Sequence, residues 1–444
     1  MIKRTRFFGY IATVSIAASL AWTLPARSAD SIDAETYRQL DLFMDIFERV
    51  RVNYVDEVSD KKLIQGAIAG MVSSLDPHSS YLDEKSFKRM RTQTEGKYGG
   101  LGIEITMEDG VVKIVAPFAD TPASRAGLKS GDFITKVNDE PIYGMTIEEA
   151  VSRMKGPPKT EVKITVVRRG EKEPMNLTLI RETIVLRPVR FDMHKGVAHI
   201  RITSFNKQTG DQLKKVIGTA ENKKAYAYLL DLRSNPGGLL DQAIEVVSAF
   251  IKKGEIVSQR GRNKSDIQRY YANGEDLTRG KPIIVLVDEG SASASEIVAG
   301  ALQDYRRAVI IGTRTFGKGS VQTLIPISRS SSLRLTTARY YTPSSRSVQE
   351  QGIDPDIYVP QLTDKYYKQR GKYREDALRN HLSNKNKAKA EELSEEKDTI
   401  ANPLFEITAE ELKKAKITDY QLDYALKILG KLAPTSHAGK KRSH

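Results

Sequence analysis

Three short segments of this 444-residue chain concentrate the groups that acyl-transfer chemistry uses. They are Asp231-Leu232-Arg233-Ser234-Asn235-Pro236-Gly237-Gly238, Gly290-Ser291-Ala292-Ser293-Ala294-Ser295 and Thr315-Phe316-Gly317-Lys318-Gly319-Ser320. A serine nucleophile needs a base, and no histidine or carboxylate stands in triad order with these serines. His194 and His199 border or occupy a strand, and His381, His437 and His444 fall in the tail. His78 lies in the turn Asp76-Pro77-His78-Ser79-Ser80-Tyr81 without an orienting partner nearby, the pattern of a structural or solvated side chain. Lys318 remains. A lysine desolvated among apolar groups and glycine backbone loses its preference for the charged form, so its amine can take a serine proton near neutral pH. Gln322 follows four residues later, and in an extended segment positions i and i+4 share a face, so its amide is the expected orienter of that amine. A helix starting at Ser293 would add an amide-rich N-terminus, and with the Gly237-Gly238 turn it could hold a tetrahedral oxyanion. On residue type alone Ser291, Ser293, Ser295 and Ser320 all stay in contention, since serines at helix starts are usually caps.

These segments need a frame that gathers them. The apolar runs at 227–230, 283–287 and 309–311 are short and continuous, as expected of parallel strands covered on both faces, and each precedes one of the three loops. Right-handed crossovers bring such loops to one edge of the sheet. Residues 239–250 and 293–303 read as its helices, so residues 185–360 form an α/β region. Residues 30–96 read as a helical region, with apolar positions recurring at helical spacing from Leu40 to Val50 and from Leu63 to Met71. Residues 97–184 change to short strands with two short helices at 124–128 and 146–154. Their order, with Gly99-Gly100-Leu101-Gly102-Ile103 at the start, resembles a PDZ domain: a glycine loop turns backbone amides toward a peptide's terminal carboxylate while the next strand pairs with the peptide. The whole is a multidomain α+β chain.

Composition narrows the field further. Hydrophobic residues make up 39% and charged residues 28%, the balance of a soluble globular protein rather than a polytopic membrane protein. With no cysteine there is no disulfide, no thiolate nucleophile and no cysteine-ligated metal. The formal charge of +14 is scattered rather than gathered into a basic run with aromatics, which argues against a nucleic-acid partner. Lys3, Arg4 and Arg6, an apolar stretch at 11–24 and small residues at Ala26, Ser28 and Ala29 read as a signal peptide over 1–29, and hence an exported, periplasmic protein that meets the membrane only through an uncleaved leader. Residues 361–444 read as a charged linker, a helix at 418–432 and a basic tail.

At GSASASEI (290–297), TFGKGSVQ (315–322) and DLRSNPGG (231–238) the chain resembles the carboxy-terminal processing proteases, or tail-specific peptidases, and the likeness extends to Asp419-Tyr420-Gln421-Leu422. The resemblance implies a crotonase-like protease core, Ser293 as nucleophile, Lys318 as general base and Gln322 as its orienter. It implies oxyanion amides from Ala294 and the Gly237-Gly238 turn, with Gly238 preferred, and a PDZ domain that binds protein C-termini through Gly99, Gly100, Leu101, Gly102 and Ile103 and gates activity. Asp304 matches a family position but ends its helix away from Ser293, so a structural role is expected; Arg314 and His199 depart from the pattern. No metal or cofactor is needed, and an adaptor or a second copy are the further partners to expect. Three rivals are weaker. Gly312 to Lys318 spells GxxxxGK, but Gly319 replaces the magnesium ligand and a strand follows in place of a helix. Ser204 to Lys207 spells SxxK without its partner motifs. A catalytically inactive PDZ scaffold would keep the fold, yet all the residues the chemistry needs are present.

Overall fold

The computed structural model describes residues 33–263, 265–370, 373–384 and 407–432, so the leader, much of the charged linker and the basic tail lie outside the described residues. The chain separates into two units, residues 1–67 and 68–444. In the first, the helix Ala34–Asn53 begins at Asp33, whose carboxylate accepts from the Thr36 amide at 2.7 Å, and it carries the exposed apolar side chains Tyr37, Leu40, Phe43 and Ile46. The helix Asp60–Ser73 follows in the chain.

Within the second unit, the antiparallel strands Ile103–Glu108, Val111–Pro117, Phe133–Val137, Glu161–Val167 and Met175–Ile180 form one sheet in that order. Strict alternation in Glu161–Val167 buries Val162, Ile164 and Val166 against Val112, Ile114 and Ala150. The helix Ile147–Met154 closes this core and starts in a capping box between Thr146 and Glu149. The two expected helices are present, at Pro122–Arg125 and Ile147–Met154.

The α/β region holds a six-stranded sheet in the order Val189–His194, Val197–Ile202, Ala227–Asp231, Ile283–Val287, Val309–Gly312, Ile357–Tyr358. The first pair is antiparallel and the others are parallel. Ala227–Asp231 and Ile283–Val287 are buried at every position, which is why they read as unbroken apolar runs. Tyr228, Leu230, Val285 and Val287 face the helices Thr209–Asn222, Leu240–Ser248 and Ala294–Asp304. Leu229, Ile284 and Leu286 face the opposite layer, made by Leu412 and the helix Tyr420–Lys431. A second sheet is built on the long strand Ser332–Tyr341, which pairs with Ser80–Leu82, Glu255–Arg260 and Ser320–Pro326. Parts of the charged segment are folded. Residues 373–384 carry the short turn Glu375–Ala377 and bond back onto the α/β region, because Glu375 and Asn384 find buried partners in Gln349 and Glu350 that a reading by local composition does not anticipate.

Candidate active site

The three loops leave the carboxyl ends of adjacent parallel strands and are bonded to one another. Ala292 N donates to Asn235 O at 3.0 Å and Phe316 N to Ser291 O at 3.0 Å. The hydroxyls of Ser291 and Ser295 are fully buried and spent on the carbonyls of Leu232 and Asn235, both at 2.9 Å. These two serines are loop staples. Ser293 between them is partly exposed and takes φ 55° and ψ −112°, a conformation rare for a residue with a Cβ and costing of order 1–3 kcal/mol. Strain of this kind on a turn between a strand and a helix is how a hydroxyl is thrust out of a sheet edge. The helix Ala294–Asp304 starts directly after it, so the Ala294 amide belongs to the helix's unsatisfied first turn.

Glycine is required on the facing loop. A Cβ on Gly237 would stand 2.7 Å from Ala292 O and 2.9 Å from Ser293 Cβ, and one on Gly238, whose φ is 150°, would stand 2.1 Å from the carbonyl oxygen of Phe205. The Gly237 amide is already given to Asn235 Oδ1 at 3.0 Å, which leaves Gly238 as the member of the pair suited to an oxyanion. Gly238→Ala is therefore expected to lower turnover by about 10²-fold or more, the cost of losing one oxyanion donor. Its thermal midpoint should fall as well, and both are read by steady-state kinetics and a melting curve on the same sample.

Glu296, a residue that nothing in the three loop motifs singles out, is the electrostatic centre of the site. Its side chain is entirely buried; Oε1 accepts from Thr315 Oγ1 at 2.6 Å and Gly317 N at 2.7 Å, and Oε2 from Ser293 N at 2.7 Å and Lys318 N at 3.0 Å. One carboxylate oxygen thus receives the amides of both Ser293 and Lys318. Burial pushes this carboxyl up to about 7 against the pull of those four donors. The signal was present: Ser293 with Glu296 three positions on is a capping box before an otherwise apolar helix.

Lys318 lines a cavity of about 460 Å³ with Ser234, Pro236, Asp288, Glu289, Gly290, Ala292, Phe316 and Tyr373. Burial, and then the nearby Arg334 charge, hold its ammonium below the usual lysine range, with Glu375, Glu296 and Asp76 opposing. Buried Tyr340 donates its hydroxyl to the Lys318 carbonyl, which ties the strand Ser332–Tyr341 to the Lys318 loop.

The hydrogen bonds of Gln322 run to its own strand and the neighbouring one. Its amide nitrogen donates to Ser320 Oγ at 3.0 Å and Thr336 Oγ1 at 3.2 Å, not to the lysine amine. The strand Ser320–Pro326 begins only after Lys318, and its register shifts between Val321 and Gln322, so the alternation that would put positions 318 and 322 on one face is interrupted. Thr336 also donates to Asp76 Oδ1 at 3.1 Å, and Asp76 organises its own turn by accepting from the His78 and Ser79 amides, both at 2.8 Å. His78 does have a partner: its Nε2 lies 2.8 Å from the fully buried Glu375 carboxylate, 297 positions away and beyond the reach of any local pattern. Asp304 accepts from Ser344 N at 2.9 Å and pairs with Arg346 at 3.3 Å, at the far end of the helix that Ser293 opens. Arg314 pairs with Asp354.

In the PDZ region the glycine segment is only partly a loop. Gly99 and Gly100 lie in the strand Lys97–Gly100, paired with Glu182–Val185, because Gly99 must pass close to Gly156: a Cβ there would stand 2.0 Å from the Gly156 carbonyl oxygen. The turn itself is Leu101 and Gly102, with Gly102 at φ 76°, and Ile103 opens the next strand. The Leu101 carbonyl accepts from Ala123 N and the Gly102 carbonyl from Phe118 N, which aligns this turn with the start of the edge strand. Lys155 stacks on Tyr98 at 4.5 Å from the ring centre, beside this segment. Among the described residues no cluster of His, Asp and Glu is arranged to hold a metal ion.

Residues 196–359 match the family model of peptidase family S41, residues 114–168 a PDZ domain, and residues 10–86 the N-terminal domain of the activating protease CtpB. A carboxy-terminal-processing protease of Bartonella bacilliformis is 49% identical over 390 residues, 87% of this chain and 89% of that one. The carboxy-terminal processing protease CtpB of Bacillus subtilis is 34% identical over 336 residues, 74% of this chain and 69% of that one. Among solved structures, a photosystem II D1 C-terminal processing protease is similar at 28% identity and a TM-score of 0.42, over 72% of this chain and 93% of that one.

Proposed function

The chain belongs to the carboxy-terminal processing proteases of peptidase family S41, serine-type peptidases that here carry a PDZ domain, and on that premise we propose a Ser293/Lys318 mechanism for it. The observation that carries the reading is the shared anchorage of the two residues. Glu296 binds both backbones, Ser293 alone among the serines of its loop is held in a strained and accessible turn, and burial keeps the Lys318 amine below its ordinary range. Lys318 Nζ, as the free amine, takes the Ser293 Oγ proton while Oγ bonds to the scissile carbonyl carbon. The oxyanion that forms faces the amides of Gly238 and Ala294. Collapse breaks the C–N bond, and the Lys318 ammonium returns its proton to the departing amine. Water then bonds to the acyl carbon while the Lys318 amine takes its proton, and collapse breaks the C–Oγ bond as the Lys318 ammonium returns that proton to Ser293 Oγ. Gln322 acts by fixing Thr336 and Ser320 around the strand after Lys318.

The PDZ domain takes the substrate's C-terminal tail along the edge strand that Ile103 opens, with the Leu101-Gly102 turn at the terminal carboxylate, and gates entry to the cleft. Small or apolar tails suit this mode. The basic and apolar start of the chain supports export, with the protease acting outside the cytoplasm.

The test is cleavage of an unstructured protein ending in an apolar carboxylate tail, beside the same protein with an amidated, charged tail, with Ser293→Ala as control. The reading expects turnover of the first, a marked loss with the second, and no turnover by Ser293→Ala, which still binds the apolar tail. Tail binding without cleavage by the unmodified protein would leave a peptide-binding scaffold.

A further inference from the structure

We propose that Asp419, far from the cleft in sequence, is a positioning residue for the oxyanion loop and acts on it through Arg233; the inference rests on the reading of Gly238 as an oxyanion donor. Arg233 opens the loop that ends in Gly237 and Gly238, and it is 6% exposed. Its guanidinium is saturated. Nε and Nη2 donate to the two oxygens of Asp231 at 2.9 and 2.7 Å, Nη1 and Nη2 to the two oxygens of Asp419 at 2.8 Å each, and Nη1 also to Gln421 Oε1 at 3.2 Å. Such paired, bidentate contacts fix the plane of a guanidinium as well as its charge.

The two carboxylates come from different places. Asp231 is the last residue of its own strand and fully buried, with His199 at 3.4 Å and Arg201 at 3.9 Å as further neighbours. Asp419 lies 186 positions beyond Arg233 and caps the helix Tyr420–Lys431 by accepting from Leu422 N at 3.1 Å, while Gln361 Nε2 donates to it at 2.8 Å. Burial would raise both carboxyls, but the Arg233 contacts hold both below the usual range, so the clamp is ionic.

Neutralising Arg233 needs one carboxylate, which Asp231 supplies; the second adds position. Beyond Arg233 the loop runs through Ser234, at φ 54°, to Asn235, whose Nδ2 donates to Ile202 O at 2.8 Å and whose Oδ1 receives the Gly237 amide. The Asn235 carbonyl receives Ala292 N and Ser295 Oγ from the nucleophile loop. The loop is therefore held on one side by the loop of Ser293 and on the other by the C-terminal helix, and Gly238 follows directly. An oxyanion donor acts through sub-ångström placement, so releasing one of the two anchors should cost transition-state stabilisation before it costs substrate binding.

The test uses the full chain carrying Asp419→Asn, which keeps the shape and an acceptor for Leu422 but loses the charge. Expected is a fall in kcat of about tenfold or more with KM within about twofold, and an equal weakening of a peptide aldehyde, whose tetrahedral adduct places its oxygen at the oxyanion donors. Asp419→Glu, which restores the charge one methylene away, should recover part of both, and it decides the matter by the same two readouts if the asparagine variant does not fold. Unchanged kcat and aldehyde affinity with only a lower thermal midpoint would overturn the proposal, as would a rise in KM alone. If these hold while Ser293→Ala is inactive, the clamp alone is wrong. If Ser293→Ala cleaves normally, the oxyanion reading and this inference fall together.

Discussion

Lys318→Ala and Lys318→Arg are each expected to lower turnover by at least about 10⁴-fold, as is Ser293→Ala, because catalytic groups that act as a unit lose nearly everything when one is removed. The arginine variant is the sharper of the two. It keeps a positive charge in the cavity, but a guanidinium is not deprotonated in the working range, so charge without basicity should not rescue the enzyme. The unmodified protein should show the titration directly. Burial and Arg334 move the Lys318 equilibrium toward the free amine, so kcat/KM should rise with pH along an acid limb whose midpoint lies below the ordinary lysine value of 10.5. Below that midpoint the ammonium cannot take the serine proton, and the activity lost must return on raising the pH. Arg334→Gln removes the neighbouring positive charge and should move the limb upward, measured as kcat/KM across pH on one peptide substrate. A limb that stays in place would assign it to another group.

Glu296→Gln is the second large effect. Each Glu296 oxygen accepts two donors, and all four come from Ser293 and from the loop that carries Thr315, Gly317 and Lys318. An amide keeps the size but turns one oxygen into an NH₂ that faces donors, and each buried donor left unmet costs about 1–3 kcal/mol. The strain at Ser293 is then no longer held, so turnover is expected to drop by about 10²-fold or more together with the thermal midpoint. The pH dependence has a definite sign. The folded carboxyl titrates near 7 against 4.5 for the ordinary group, so between those values the folded state binds more protons than the unfolded one and this group's contribution to stability falls as pH rises. Melting curves of the two proteins from pH 4.5 to 8 should show that component in the unmodified protein and not in Glu296→Gln. An equal slope in both would place the titration elsewhere.

The frame of the site is legible in the sequence because it follows from local rules. Fully buried parallel strands must be short apolar runs, and Ala227–Asp231, Ile283–Val287 and Val309–Gly312 are such runs, each followed by a loop rich in glycine or serine. The PDZ strands follow equally from alternation. Local rules fail where geometry changes over one or two residues. The shift of register at Gln322 turns its amide toward Thr336, and Gly99 and Gly100 pair as a strand where a loop was the simpler reading. Glu296 is a different case. The capping-box spacing announces it, but only its complete burial under the third loop reveals that one carboxylate accepts from the amides of both Ser293 and Lys318.

By itself, then, the order of residues determined which groups reach the sheet edge: Ser293, Lys318 and the Gly237-Gly238 turn are set there by strand length and loop composition. Tertiary structure decided which serine is accessible, since Ser291 and Ser295 are excluded only by the carbonyls they bond. It also decided how the site is braced, through Tyr340 on Lys318, Glu375 on His78 and Asp419 on Arg233. The reason is one of range. Strands and caps are governed by neighbours within a few positions, whereas a buried charge takes its partner from whatever element packs against it, and that choice leaves no period in the sequence.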